Sequence, residues 1–132
     1  MKVLVLEDEP VMRRFLRQVI GTSATLEATS PAEALDVCRN HKDIDLLICD
    51  IEPGLVSGME LATLAREWIP DLRTILLCNT PCECWSEQEN EQLKELPVDA
   101  VMILETPFST IELKAAITEL ISPEEVGVAA LL

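Results

Sequence analysis

Short apolar runs rich in Val, Ile and Leu alternate along the chain with segments of helical period. The runs cover 2–6, 25–28, 45–49, 74–78 and 100–104. Several are apolar without a break, the pattern of strands covered on both faces. Between and after them lie stretches of about 11–14 residues, long enough for crossover helices. The helix starts are marked by capping chemistry. Ser30-Pro-Ala-Glu33 has the capping-box spacing, with Pro31 at the first helical position. Ser57-Gly-Met-Glu60, Ser86-Glu-Gln-Glu89 and Ser109-Thr-Ile-Glu112 repeat the spacing, and Pro10 suits the first turn of the first helix. The pattern therefore predicts five strand–helix units, with helices near 10–20, 31–41, 58–68, 87–96 and 110–121. Such alternation argues for an α/β fold: a doubly wound parallel sheet with helices on both faces.

Composition supports one domain and narrows its partners. The 132 residues are 48% hydrophobic, enough for a single real core. The 24 acids against 10 bases give a formal charge of -14, which repels nucleic acid and anionic membrane. No Lys/Arg-rich run reverses this locally, so direct nucleic acid binding is not expected. No apolar stretch reaches the roughly 18 residues of a membrane span. The opening MKVLVLEDEP turns acidic after four apolar residues, too soon for a secretory signal, so a cytoplasmic location is expected. Of five cysteines, Cys49 and Cys78 lie in apolar runs and read as reduced, buried thiols. Cys82 and Cys84 form a C-x-C, and His41 is the single histidine; zinc would need more ligands.

Ligands of a doubly wound sheet bind beyond the carboxyl ends of its strands. Glu7, Asp8 and Glu9 follow the first strand, Asp50 and Glu52 the third. Cys78, Asn79 and Thr80 follow the fourth, and Glu105 and Thr106 the fifth. With the first and third strands as neighbours, Glu7, Asp8 and Asp50 converge on one pocket, while Glu9 beside Pro10 reads as a helix cap. Two unit charges about 4 Å apart repel by roughly 4 kcal/mol at an effective dielectric of 20. A hard divalent cation with oxygen ligands, Mg2+ above all, is the natural compensation. A metal beside a lone Asp suggests phosphoryl chemistry, with the carboxylate attacking phosphorus to hold the group as an acyl phosphate.

These residues resemble a known family. Val-Leu-Val-Leu-Glu7-Asp8-Glu9-Pro10 resembles the opening of the receiver domains of bacterial two-component response regulators. Leu-Leu-Ile-Cys-Asp50-Ile-Glu-Pro-Gly-Leu-Val-Ser-Gly58 resembles their third strand and following loop, and Thr106-Pro107-Phe108 with Glu112-Leu113 the start of the last helix. The resemblance implies a flavodoxin-like (βα)5 sheet in the order 2-1-3-4-5. It implies a receiver over residues 1–122, with 123–132 as a tail or cut linker. It implies Asp50 as phosphoacceptor, Asp8 as a direct Mg2+ ligand, Glu7 acting through water and the Glu52 carbonyl as a further ligand. A sensor histidine kinase or phosphotransfer protein would donate the group, and a downstream protein would read it. Pairing of two copies through the helix 4–strand 5–helix 5 face is a habit of the family.

The departures are specific. Cys78 stands where the family has a Thr or Ser hydroxyl, and a thiol is a weak donor. Asn79 or Thr80 could serve only with a shifted register. Thr106 stands where the family has a Lys before the Pro, and the aromatic switch position is Ile103. Pro53 comes one residue earlier than usual after Asp50, followed by Gly54. A bound phosphoryl group would be undercompensated, so phosphorylation should be weak, short-lived or absent. Two readings follow: a phosphorylatable relay, or a degenerate receiver working by protein contacts alone. A stand-alone Asp-nucleophile phosphatase fits poorly, because those enzymes place D-x-D after the first strand. The polar stretch 83–95, with acids at 83, 87, 89, 91 and 95, reads as a solvated face or a docking face for a basic partner. Trp68 and Trp85 read as packing residues, Trp85 as the more exposed.

Overall fold

The computed structural model describes residues 1–21, 24–51, 57–79 and 85–121. Five parallel strands form one sheet in the order β2-β1-β3-β4-β5. They are β1 (Lys2–Leu6), β2 (Ala24–Ala28), β3 (Leu46–Asp50), β4 (Arg73–Cys78) and β5 (Val101–Glu105). The helices are α1 (Pro10–Ile20), α2 (Pro31–Asn40), α3 (Gly58–Ala65), α4 (Glu87–Lys94) and α5 (Thr110–Leu120), with a 3-10 turn at Val98–Ala100 before β5. The expected fold class and strand order are both present. No helix among the described residues is long and apolar enough to cross a membrane.

Each central strand is buried on both faces because its side chains alternate between two cores. Val3, Val5, Leu46, Ile48, Ile75 and Leu77 face Leu16 of α1 and Leu113 and Ile117 of α5. Leu4, Leu6, Leu47, Cys49, Leu76 and Cys78 face α2, α3 and the residues flanking α4. Phe15 of α1 and Phe108 close the first layer, their ring centroids 5.8 Å apart.

All four serines accept the backbone N–H of the glutamate three residues on. At Ser86 and Ser109 the glutamate also reaches back to the serine N–H, completing the box. Strand and helix ends differ from the sequence reading by a residue or so, except at two helices. The third ends at Ala65 and the fourth at Lys94, rather than 68 and 96. In both, the last turn tightens to i→i+3 bonds: Trp68 N–H to the Ala65 carbonyl and Leu96 N–H to the Leu93 carbonyl, each 3.1 Å. Pro70 and Pro97 follow closely and forbid continuation.

The three described cysteines, Cys38, Cys49 and Cys78, are free and buried. Burial pushes the Cys38 thiol up to about 11. Cys82 and Cys84 lie outside the described residues, as do 122–132. Among the described residues, the Thr74 Oγ1 hydroxyl on β4 is buried without a hydrogen-bond partner. Thr74→Val keeps the shape and removes that desolvated group, so the variant should gain about 1 kcal/mol of stability. A urea titration in which its midpoint falls below that of the parent would contradict this.

Candidate functional site

The carboxyl edge of the sheet is laid out by strand register. Leu6 pairs with Cys49, so Glu7 and Asp50 lie one step further along neighbouring strands. Asp50 pairs with Leu77, and Cys78 with Glu105. The order across the edge is therefore Glu7, Asp50, Cys78, then Glu105 and Thr106. Thr106 is tied back to β4: its N–H donates to the Cys78 carbonyl at 2.8 Å, and its hydroxyl donates to Asn79 Oδ1. The Thr106–Pro107 peptide is cis.

Asp50 is held from behind by a glycine. Gly58, the first residue of α3, is buried and donates its N–H to the Ile51 carbonyl. A Cβ at Gly58 would overlap the Asp50 carbonyl oxygen and come 3.1 Å from the Ile51 Cα. Only glycine permits that approach of helix to strand end. Gly58 therefore fixes the Asp50 backbone, a role the sequence reading did not assign it.

Glu7 is a buried carboxyl at 7% exposure. Its Oε1 accepts the Glu9 N–H at 3.2 Å, which folds the side chain back toward its own loop. Arg13 donates to its backbone carbonyl and also meets Glu27. Burial, and then the charges of Asp50, Asp8 and Glu9, raise the Glu7 carboxyl above its ordinary value, against the lowering effect of the Glu9 N–H. The neighbouring Cys49 thiol is pushed far up, chiefly by burial and then by the charges of Asp50, Cys38 and Glu7. Glu9 caps α1, accepting from the Val11 and Met12 N–H groups as the sequence predicted.

The three acids share the edge and act on one another electrostatically. They do not form the three-carboxylate pocket that the sequence suggested. Among the described residues no three His, Cys, Asp or Glu side chains are gathered closely enough to hold one ion. The reason is visible in Glu7, whose side chain turns to the Glu9 amide, and in Asp8, which is exposed. The donors still fit Mg2+. Glu7 is raised chiefly by burial and further by the charges of Asp50, Asp8 and Glu9, the oxygens are hard, and Mg2+ takes one or two carboxylates and keeps several waters. Asp8 and Asp50 are the residues that would hold it, with Glu7 behind them. Glu52, Pro53, Gly54 and Thr80 lie outside the described residues.

The expected exposures of the tryptophans are reversed. Trp85 is buried at 8%, and Trp68 is only partly buried. The Trp85 indole Nε1–H donates to Cys78 Sγ at 3.3 Å. Flanking polar residues had argued for exposure at Trp85; the apolar slot at the end of β4 outweighs them.

The raised Glu7 has a consequence for stability. A carboxyl with a folded value above its unfolded one binds protons more readily when folded. Its stabilising contribution is complete below the ordinary glutamate value of about 4.3 and is lost as pH rises through the raised value. Glu7→Gln keeps the acceptor for the Glu9 amide. The variant should be more stable than the parent at pH 7 without metal, with the difference shrinking on acidification. Equal pH dependence in the two proteins would sink this.

The response regulator receiver domain model matches residues 3–118. The chain is 28% identical over 118 residues to the transcriptional regulatory protein YvrH of Bacillus subtilis, covering 87% of this chain and 46% of that protein. It is 33% identical over 69 residues to a chemotaxis protein CheY homolog of Campylobacter jejuni, covering 50% of this chain and 53% of that protein. The chain thus spans about half the length of these relatives. Among solved structures, a CheY-like receiver domain protein from Methanospirillum hungatei superposes with a TM-score of 0.77 at 19% identity, over 96% of this chain and 98% of that one. That likeness carries the fold.

Proposed function

The chain belongs to the response regulator receiver domain family, and on that premise we propose that Asp50 accepts a phosphoryl group in a two-component relay. The observation that carries this reading is the placement of Asp50 at the end of central β3, across from buried Glu7, which directly follows β1, and with its charge acting on it. An Asp50 oxygen attacks phosphorus, the Asp50–phosphorus bond forms, and the bond to the donor breaks in line. Bound Mg2+ would neutralise charge on the transferring oxygens. Asp8 and Asp50 would ligate it, Glu7 would help through water, and the Glu52 carbonyl would be a further ligand. The donor would be a sensor histidine kinase or a phosphotransfer protein, and the output a contact with a downstream protein. Beyond accepting and losing the group, no turnover is assigned to the site.

Two features shorten the life of the phosphorylated state. Thr106 replaces the cation expected at the end of β5, and its hydroxyl is engaged by Asn79. Cys78 replaces a hydroxyl, and its sulfur accepts the Trp85 indole. The same two contacts favour the second reading, a receiver that signals through protein contacts without phosphorylation.

Incubation with acetyl phosphate and Mg2+, followed by intact-mass measurement, decides between the readings. A phosphorylated species that is absent in Asp50→Ala is the expected result. No adduct with any small-molecule donor or beryllofluoride would overturn the relay and select the adaptor.

A further inference from the structure

Helix α4 buries none of its own residues between Glu87 and Lys94. Its hold on the sheet therefore rests on few contacts. Leu96 is buried just after it and Leu93 packs partly into the core. Gln92 Oε1 accepts the hydroxyl of Ser57, the cap of α3, at 3.0 Å. At the other end Trp85 immediately precedes the capping box formed by Ser86 and Glu89. The Trp85 indole lies in the core with its N–H on Cys78 Sγ. A large ring with its one polar atom matched is a rigid anchor.

The anchor point is itself fixed. The Cys78 carbonyl receives the Thr106 N–H from β5. The end of β4 is thus held through its backbone by β5 and through its Cys78 side chain by the indole. The position where a mobile hydroxyl would be needed carries a buried sulfur. Ile103 on β5, which pairs with Leu76, carries an aliphatic side chain packed against the same core.

We propose that Trp85 and Cys78 form a clamp that holds the N-terminus of α4 to the end of β4, so that α4 keeps one position whether or not Asp50 carries a ligand. The outward acids Glu87, Glu91 and Glu95 are then presented constantly, and the site does not reposition them. The second half of this statement rests on Asp50 accepting a phosphoryl-like group; the first does not.

Amide hydrogen exchange of α4 in the full chain tests both halves, with beryllofluoride plus Mg2+ as the probe and its binding read separately by fluorine resonance. Trp85→Phe keeps a ring but removes the N–H, and Cys78→Val removes the sulfur while filling the space. In each variant the α4 amides should exchange about tenfold faster than in the parent, the change expected for loss of one anchor of local stability. In the parent, bound beryllofluoride should leave α4 exchange within about twofold, whereas in the variants it should shift it further. If both variants exchange like the parent, or if α4 of the parent responds to bound beryllofluoride as strongly as the variants do, the clamp is wrong. If no fluorine signal of a bound adduct forms, the phosphoryl reading fails, while the basal exchange rates still decide the clamp.

Discussion

Gly58→Ala is expected to destabilise the fold by roughly 3 kcal/mol, at the upper end of what overpacking costs. The added carbon meets the Asp50 carbonyl oxygen and sits 3.1 Å from the Ile51 Cα. Both are backbone, so no rotamer change relieves the overlap. Either α3 must lift off β3 or the end of β3 must move. Lifting α3 breaks the contacts of Met59, Leu61 and Ala62, which are all fully buried. Moving β3 displaces Asp50 and loosens the bond from the Ile51 N–H to the Leu77 carbonyl, 3.0 Å in the parent. For a chain of this length the loss should lower the melting temperature by about 10 °C. A surviving folded fraction should also modify Asp50 more slowly, because the carboxylate no longer lies beside Glu7. A melting temperature within about 2 °C of the parent would show that the helix can yield without cost.

That glycine also shows what sequence could and could not reveal. Strands were readable because Val3–Leu6 and Leu46–Cys49 are buried on both faces, which leaves an unbroken apolar run. Helix starts were readable because Ser and Glu at fixed spacing do local chemistry, and all four serines perform it. Asp50 and the Glu7-Asp8 pair were readable as residues of one edge, because strand ends converge in any parallel sheet of this order. What was hidden depends on particular side-chain contacts that hydrophobic periodicity and capping patterns do not encode. Ser57-Gly58 reads only as a helix start, and nothing local says that the Asp50 carbonyl lies against the glycine. Trp85 sits among polar neighbours, and its burial is decided by Cys78, which lies seven positions earlier. The turn of Glu7 toward the Glu9 amide is a side-chain choice within a three-residue stretch, which periodicity cannot report.

Thr106→Lys should lengthen the life of a phosphorylated or beryllofluoride-bound Asp50 by about tenfold, the factor that corresponds to one favourable charge contact of roughly 1.4 kcal/mol. Thr106 stands two strands from Asp50, since β4 lies between β3 and β5. Neighbouring strands are about 4.8 Å apart, so a lysine stem can span most of that distance. Its ammonium would bring positive charge toward an edge whose acids already oppose one another at Glu7. The backbone bond from residue 106 to the Cys78 carbonyl does not depend on the side chain, so the β4–β5 junction should survive. The hydroxyl contact with Asn79 is lost, at the modest cost of one exposed hydrogen bond. The gain should weaken with added salt, because the new charge lies at a partly solvated edge. Decay of the acyl phosphate, followed by intact mass in parent and variant, measures the effect directly. An unchanged lifetime would mean that a cation at this position does not reach the Asp50 adduct. The missing charge would then not explain why the group is short-lived, and the cause would have to be sought at Cys78.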